Sequence, residues 1–559
     1  MVSVSKAIVG VLRGEAVSYV FSLPGGHIQP IYDVIYDEDE VELISVRHEE
    51  AAAHMADGYA RVKGRPGVCL GTAGPGATNM VTGVAEAYAS SSPLIVLTGQ
   101  VRTTELYKGA IQEFDTVAVF RHFTKWSCRA PSGGRVPELL RTAFRVALSG
   151  RYGPAHLDLP RDVLLEDVEF EDVTPQHYRP EGRVRGDRGK VEEAVELLLS
   201  AEKPVILAGG GVKWSQASSE VLELASLLGA PVLTTLTGKG VVPEDNPLVL
   251  GVAPAALLTE SGWRLISGCD VMLAVGCRFS GISTVDWHLP VPRNLIHVDV
   301  DPCEIGKNYP VRVGIVGDAK AVLEEMITSI KGRRPPVDRE KRLRELREVR
   351  EEFWGELLKG AVKGGRVTPK ALMDEVKAFL KGECVVVTDV GNNQLWSIKY
   401  IQAGEGVEFI TPVGFGTVGF GFPASLGAKL AAPEKRVVCL TGDGGFAAMI
   451  QELETAVRHG INVVVVVMNN RGTAEIKQIQ QVKHSERYIG VDYLDVDFSQ
   501  VAKGFRAYGE RVEKPGDVHG ALERAFEAGK PAVVDVVFDD SGEISPWVLR
   551  EALRREVAR

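Results

Sequence analysis

The 559-residue chain reads as an α/β protein of three doubly wound, mostly parallel-sheet domains. Three observations predict this. Apolar strand-like runs alternate with helical patterns from end to end, the sequence form of parallel sheets covered by helices. Two stretches interrupt the series: 166–188 is acidic and then proline- and arginine-containing, and 332–365 carries Arg-Arg-Pro-Pro before becoming charged. A hydrophobic content of 45% over this length is enough for about three or four domains with proper cores. The divisions therefore fall at 1–170, 188–332 and 366–540. A tail, 541–559, follows, in which 544–559 has the spacing of an amphipathic helix. The first and third segments are compatible with distant copies of one plan, although no fixed-period repeat is present.

Taken in order, the N-terminal segment opens with an apolar run at 20–23 that leads into Pro24-Gly25-Gly26-His27, a turn. A strand at 41–46 is followed by Arg47-His48-Glu49, where a helix starts with Glu49 in its first turn. An acid there commonly does no more than satisfy the helix dipole. The strand 68–70 runs into Gly71-Thr72-Ala73-Gly74-Pro75-Gly76-Ala77-Thr78-Asn79. This is not a dinucleotide fingerprint, because the third glycine and the ribose-binding acid are missing. In the middle segment, strands end at Gly209-Gly210-Gly211 and at Gly276-Cys277-Arg278.

The third segment is the most informative. A buried-strand pattern at 436–441 meets Gly442-Asp443-Gly444-Gly445, a helical pattern covers 446–459, and the apolar strand 461–468 ends at Asn469-Asn470. Glycines let a backbone approach phosphate oxygens, and free N–H groups at a helix start point at negative charge. Asp443 beside such an anion needs a hard cation between them, and magnesium, with its preference for oxygen ligands, fits. A right-handed crossover brings both strand tips to one sheet edge, so Asn470 is expected next to Asp443. The stretch therefore reads as a magnesium-diphosphate site.

Composition excludes other classes. The net charge is −10 with no long basic run, which argues against nucleic acid as a partner. No apolar run reaches about 18 residues, and 1–10 lacks the core of a secretion signal, so neither a membrane span nor export is expected. Seven cysteines without a Cys-x-x-Cys pair, most of them in apolar runs, read as buried thiols of a cytoplasmic protein. The mixed-charge stretch 331–350 reads as a solvated helical linker.

Together these segments resemble thiamine diphosphate enzymes, in which Gly-Asp-Gly precedes Asn-Asn by a similar distance, and within them the acetolactate synthase large-subunit type. The resemblance covers nearly the whole chain. It implies a pyrimidine-binding domain, a central nucleotide-fold domain and a diphosphate-binding domain. It assigns Asp443, the Asn470 side chain and the Gly472 carbonyl to the metal, and Gly442, Gly444 and Gly445 to the diphosphate. Val390, Gly391, Asn392 and Asn393 would also touch the diphosphate, although Gln-His is usual at 392–393. Glu49 would hydrogen-bond a ring nitrogen of the aminopyrimidine, with Thr72 and Asn79 on the loop beside it. The Gly416 carbonyl would receive the aminopyrimidine N–H, and Val418, where methionine is usual, would wedge the two cofactor rings. His27, with Gln112 as its polar partner, matches a substrate-facing histidine of benzaldehyde lyase and 2-hydroxyacyl-CoA lyase-like relatives.

For the middle domain the resemblance implies FAD, held by Arg151, Gly209, Gly210, Gly211 and Arg278. Two segments depart from that pattern, 251–255 and Ser280-Gly281. The implied activity is decarboxylation of pyruvate and ligation of the hydroxyethyl unit to a second 2-keto acid. The assembly implied is a homodimer or dimer of dimers, with a small regulatory subunit as a further partner. The alternative enzyme is a carboligase or lyase acting on aldehydes or 2-hydroxyacyl-CoA, which His27, Val418 and Ile479 favour. Ile479 stands where a tryptophan helps biosynthetic synthases choose 2-ketobutyrate. A cofactor-free scaffold or regulatory subunit is the reading from another class, and intact Glu49, Asp443 and Asn470 speak against it.

Overall fold

The computed structural model describes residues 1–179, 182–333, 338–359, 366–539 and 543–545. Valine-rich apolar runs such as Val464–Asn469 and Val271–Val275 are buried along their whole length, as strands covered by helices on both faces must be. Among the described residues they assemble into three six-stranded sheets, each parallel throughout. The expected α/β class, with three doubly wound sheets, is what the chain forms.

The N-terminal sheet contains Tyr19–Ser22, Glu42–Ser45, Gly67–Gly71, Leu94–Gln100, Trp126–Arg129 and Ala155–Pro160. Numbered along the chain, these strands lie side by side in the order 2-1-3-4-6-5. The C-terminal sheet contains Cys384–Thr388, Val407–Ile410, Arg436–Gly442, Val464–Asn469, Tyr508–Val512 and Ala532–Val537, and its order is again 2-1-3-4-6-5. The two outer segments are thus built on one plan, which the sequence only hinted at. The middle sheet runs from Pro204–Ala208 to Val313–Val316 in the order 3-2-1-4-5-6, the arrangement of dinucleotide-binding folds.

The N- and C-terminal domains meet through topologically equivalent helices, Glu49–Lys63 and Gly421–Ala431, each following the second strand of its sheet. Small residues allow the two backbones to touch. A Cβ on Gly58 would fall 2.0 Å from the Ala424 carbonyl oxygen, and one on Gly427 would fall 1.9 Å from that of Met55. No residue but glycine fits either place without separating the helices.

The stretch expected to be a solvated linker forms the helix Arg339–Leu357, but one side of it is not solvated. Leu346, Phe353, Trp354 and Leu357 are buried, and Arg350 donates to the carbonyls of Glu244 and Val249 at 2.8 and 3.0 Å. The apolar face was hidden among many charges. The expected tail helix lies outside the described residues beyond 545. Five cysteines are buried, Cys128 partly so, and Cys303 is exposed. Among the described residues no helix is long and apolar enough to cross a membrane.

Candidate active site

In a 2-1-3-4 sheet the crevice opens between strands 1 and 3, where the direction of winding reverses. In the C-terminal sheet these strands are Cys384–Thr388 and Arg436–Gly442, and a helix starts at the tip of each. Gly391 caps the helix Asn392–Tyr400 with φ +108° and ψ −164°, which only glycine adopts readily. The helix Asp443–Ala448 follows Gly442 without an intervening loop, so the expected turn over 442–445 is already helical. The helix expected over 446–459 is broken after Ala448 and resumes as Glu452–Arg458. Two helix starts therefore face one crevice.

Asp443 lies in this crevice and is 5% exposed. Its Oδ1 accepts the Gly444 N–H at 2.9 Å and its Oδ2 accepts the Gly472 N–H at 3.0 Å. Burial pushes its carboxyl up to about 6, a shift that an adjacent cation would reverse. The strand register pairs Gly442 with Met468, which brings 469–472 to the same edge. Asn469 turns inward and donates to the Val496 carbonyl and Asp535, both at 2.9 Å, so Asn470 is the residue beyond the tip. Asn393 is committed to the main chain: its amide donates to the carbonyls of Asp389 and Leu440 at 2.8 and 3.1 Å. Asn392 donates to Gln478 at 3.2 Å. Gly416 has φ +74°, and Val418 beside it is 56% exposed.

A second group of residues gathers in the N-terminal domain. His48 caps the helix Glu49–Lys63, its Nδ1 accepting the Glu50 N–H at 3.2 Å. Glu49 is therefore the first helical residue, and it is 5% exposed. The Asn79 amide donates to Glu49 Oε2 at 2.9 Å. Gly76 leaves Oε1 uncovered, since a Cβ there would sit 3.3 Å from it. Thr72 Oγ1 lies 3.3 Å from His27 Nδ1 and accepts the His27 N–H at 3.4 Å. Gln112, at φ +67°, packs its Cβ against Gly74. Gln112 and His27 thus share the glycine-rich loop, but the hydrogen bonds described for His27 go to Thr72. Burial, reinforced by Arg161, pushes the His27 imidazole below its usual range, so the ring is neutral at neutral pH.

Three family models match along the chain, each in a different sheet domain. "Thiamine pyrophosphate enzyme, N-terminal TPP binding domain" matches residues 2–119, the central domain of the same enzymes 191–326, and their C-terminal TPP binding domain 389–536. The chain belongs to the thiamine pyrophosphate enzyme family. The cofactor of this enzyme is thiamine diphosphate. Similar proteins include probable acetolactate synthase large subunits of Methanocaldococcus jannaschii, 39% identical, and Methanococcus aeolicus, 37% identical, each alignment covering 97% of this chain and 93% of the relative. The acetolactate synthase isozyme 3 large subunit of Escherichia coli is 35% identical over 98% of this chain and 97% of its own length.

This thiamine pyrophosphate enzyme has a further cleft where the middle sheet reverses, between Pro204–Ala208 and Val271–Val275. It measures about 970 Å³ including its open mouth and is lined by Arg151, Gly210, Gly211, Arg278 and Asp299, among others. Gly209 and Gly211 are glycines for packing reasons: a Cβ on either would strike Gly276, at 2.0 and 2.7 Å. Arg151 pairs with Asp301 and Glu304 at 3.5 and 3.4 Å, and Arg278 donates to the Ala89 carbonyl at 2.5 Å. Burial pushes Asp299 up to about 6.

Sequence reasoning missed the buried Asp389, which accepts the N–H groups of Val390, Gly419 and Gly421 at 2.8, 3.0 and 2.9 Å. It joins the strand tip to the loop carrying Gly416 and Val418. Its place at a strand end was visible, but its partners lie about 30 residues away and no local pattern announces them. Tyr493, whose ring covers Gly444, comes from a loop with no periodicity and had no signal at all.

Proposed function

We propose that this enzyme is a magnesium-dependent acetolactate synthase large subunit that decarboxylates pyruvate and joins the two-carbon unit to a second 2-keto acid. The full-length likeness to acetolactate synthases supports the substrate class. The single observation carrying the site is Asp443, a buried carboxylate drawn to two backbone N–H groups in a crevice between helix starts. Such a carboxylate and such a crevice fit a magnesium ion and a diphosphate.

Asp443, the Asn470 side chain and the Gly472 carbonyl hold the metal. The backbone at Val390, Gly391, Asn392 and Asn393 and at Gly442, Gly444 and Gly445 binds the diphosphate. The Gly416 carbonyl and the Val418 side chain orient the rings, with Thr72 and Asn79 beside the pyrimidine. Bound thiamine diphosphate supplies the electron sink for loss of carbon dioxide from a 2-keto acid. Glu49 holds and shares a proton with the aminopyrimidine through Oε1, while Asn79 fixes Oε2. Neutral His27 and Gln112 orient the substrate oxygen.

The cleft of the middle domain takes FAD through Arg151, Arg278 and the backbone of Gly209, Gly210 and Gly211. Its position at the reversal of the sheet and its two arginines support a nucleotide there. The three folding units are 1–170, 188–332 and 366–540, with 541–559 as a tail, and the enzyme works in the cytoplasm. Glu49 and Asp443 of one cofactor site come from different chains, in a homodimer or dimer of dimers. Phe415 and Val418, apolar and each 56% exposed, support a partner surface there. A small regulatory subunit completes the assembly.

The test is incubation of the purified protein with pyruvate, magnesium and thiamine diphosphate, with and without FAD. Acetolactate is the expected product. A second reading has its own support: a neutral His27 on the Thr72 loop and the short Val418 suit a lyase acting on aldehydes or 2-hydroxyacyl-CoA. Cleavage of a 2-hydroxyacyl thioester without acetolactate from pyruvate would favour it.

A further inference from the structure

Two buried glutamates are exchanged between the terminal domains of the chain. Glu86 belongs to the N-terminal domain and is fully buried, yet its Oε2 serves the C-terminal domain. It accepts the Gly416 N–H at 3.0 Å, and the Thr417 N–H and Oγ1–H at 3.4 Å. Its Oε1 is held by Ser90 at 2.7 Å and faces Arg61 at 3.8 Å. Arg61 is itself fixed by Asp57 and donates to the Thr411 carbonyl at 2.9 Å. Glu452 does the converse. It belongs to the C-terminal domain, is fully buried, and accepts the Arg47 N–H through both oxygens, at 3.0 and 3.2 Å. Thr455 holds its Oε2 at 2.7 Å.

The two residues are topological equivalents. Each lies on the second of two helices that follow the third strand of its sheet: Val81–Ala89 after Pro75–Asn79, and Glu452–Arg458 after Asp443–Ala448. Each reaches the segment between the second strand and the crossing helix of the other domain. Those segments are the two that matter for the cofactor ring, one leading into Glu49 and the other carrying Gly416 and Val418.

We propose that Glu86 and Glu452 are a reciprocal pair of positioning residues, each fixing the backbone of the segment through which the other domain reaches the cofactor ring. A buried carboxylate holds the backbone N–H it accepts more firmly than water does, and its loss leaves that donor unpaired. The consequence is that neither segment keeps its geometry unless the two domains are docked. Asp389 supplies the inner anchor of the second loop, so Val418 is held between two buried carboxylates.

The proposal rests on the reading of Glu49 and Gly416 given above. Its test compares Glu86→Ala and Glu452→Ala with the unaltered full-length enzyme, using thiamine diphosphate with magnesium, and magnesium pyrophosphate, as probes. Glu86→Ala is expected to weaken thiamine diphosphate about tenfold while pyrophosphate affinity stays within about twofold, since Gly416 meets only the ring end. Glu452→Ala is expected to lower kcat about tenfold with KM for pyruvate and cofactor affinity nearly unchanged, because Glu49 acts on activation. Glu86→Gln and Glu452→Gln, which keep one acceptor oxygen, should recover most of each loss and serve where the alanine variants do not fold. Equal weakening of both probes, or a fall in melting temperature with no split between affinity and turnover, would overturn the pair. An unaltered enzyme that fails to bind thiamine diphosphate would instead sink the reading of the site.

Discussion

The Asn79 amide donates to Glu49 Oε2 at 2.9 Å, which leaves Oε1 as the oxygen open to a ligand across Gly76. The two residues come from consecutive strand-to-helix segments of one sheet, and the bond fixes the carboxylate before any cofactor arrives. Glu49→Gln should lower acetolactate formation by about a hundredfold to ten-thousandfold, with thiamine diphosphate affinity nearly unchanged. Asn79→Ala should cost about tenfold. Steady-state turnover and titration calorimetry check both, and unaltered turnover in Glu49→Gln would remove that residue from the reaction.

Asp443→Ala should abolish the stabilisation that magnesium and thiamine diphosphate give together. At a hundredfold excess over Kd a single site adds about 2.7 kcal/mol to the native state. Thermal denaturation with and without the pair measures this, and a variant still stabilised by it would show that the metal lies elsewhere.

Mixing two inactive variants tests the shared site. If Glu49 and Asp443 of one site come from different chains, a mixed dimer of Glu49→Gln and Asp443→Ala chains has one intact site and one doubly altered site. Exchange of subunits should then restore about a quarter of the full activity. A mixture that remains inactive after demonstrated exchange places both residues in the same chain.

The helix crossing makes a stability prediction. A Cβ at Gly58 or Gly427 would lie about 2 Å from a backbone carbonyl oxygen, and backbone cannot move aside as a side chain can. Either glycine-to-alanine change should destabilise by about 1–3 kcal/mol or more, read as a lower melting temperature of the apoenzyme. An unchanged melting temperature would mean that the two helices separate at no cost.

The buried Glu452 gives a pH dependence. Burial, only partly offset by its hydrogen bonds to Thr455 and the Arg47 N–H and by the Arg47 charge, pushes its carboxyl from 4.5 up to about 7. Between these values the folded chain keeps a proton that the unfolded chain has released, so this group's contribution to stability falls as pH rises from about 4.5 to 7. The contribution lost is on the order of 3 kcal/mol. Glu452→Gln removes the effect, so the stability of the unaltered chain should fall relative to the variant across that window. Parallel stability curves for the two proteins would show that Glu452 does not titrate there.

Much of the candidate site was legible because it is local. Gly442, Asp443 and Asn470 are joined by one β-α-β crossover, and its handedness is fixed by chain chirality, so spacing alone places the residues on one edge. Glu49 at a helix start and Gly391 before the next helix follow from the same kind of short-range pattern. Glu86, Asp389 and Glu452 were not legible, since an acid in an apolar helix or at a strand end looks the same whether its partner is solvent, a loop 30 residues away as for Asp389, or a segment 330 or 405 residues away as for Glu86 and Glu452. The covered face of Arg339–Leu357 was lost among charges for a similar reason: the partner that buries it lies about 100 residues earlier.

The sequence by itself determined the three parallel sheets, the order of their strands and helices along the chain, and the placement of Asp443 and Asn470 at one sheet edge, because alternation, glycine placement and crossover handedness are properties of short segments. Only the tertiary structure decided that the outer sheets share one strand order, that glycines at 58 and 427 let their helices touch, and that buried glutamates are traded across that contact. Those features depend on which surfaces meet, and surface matching is set by shape and unpaired hydrogen-bonding groups summed over distant segments, which no local window contains.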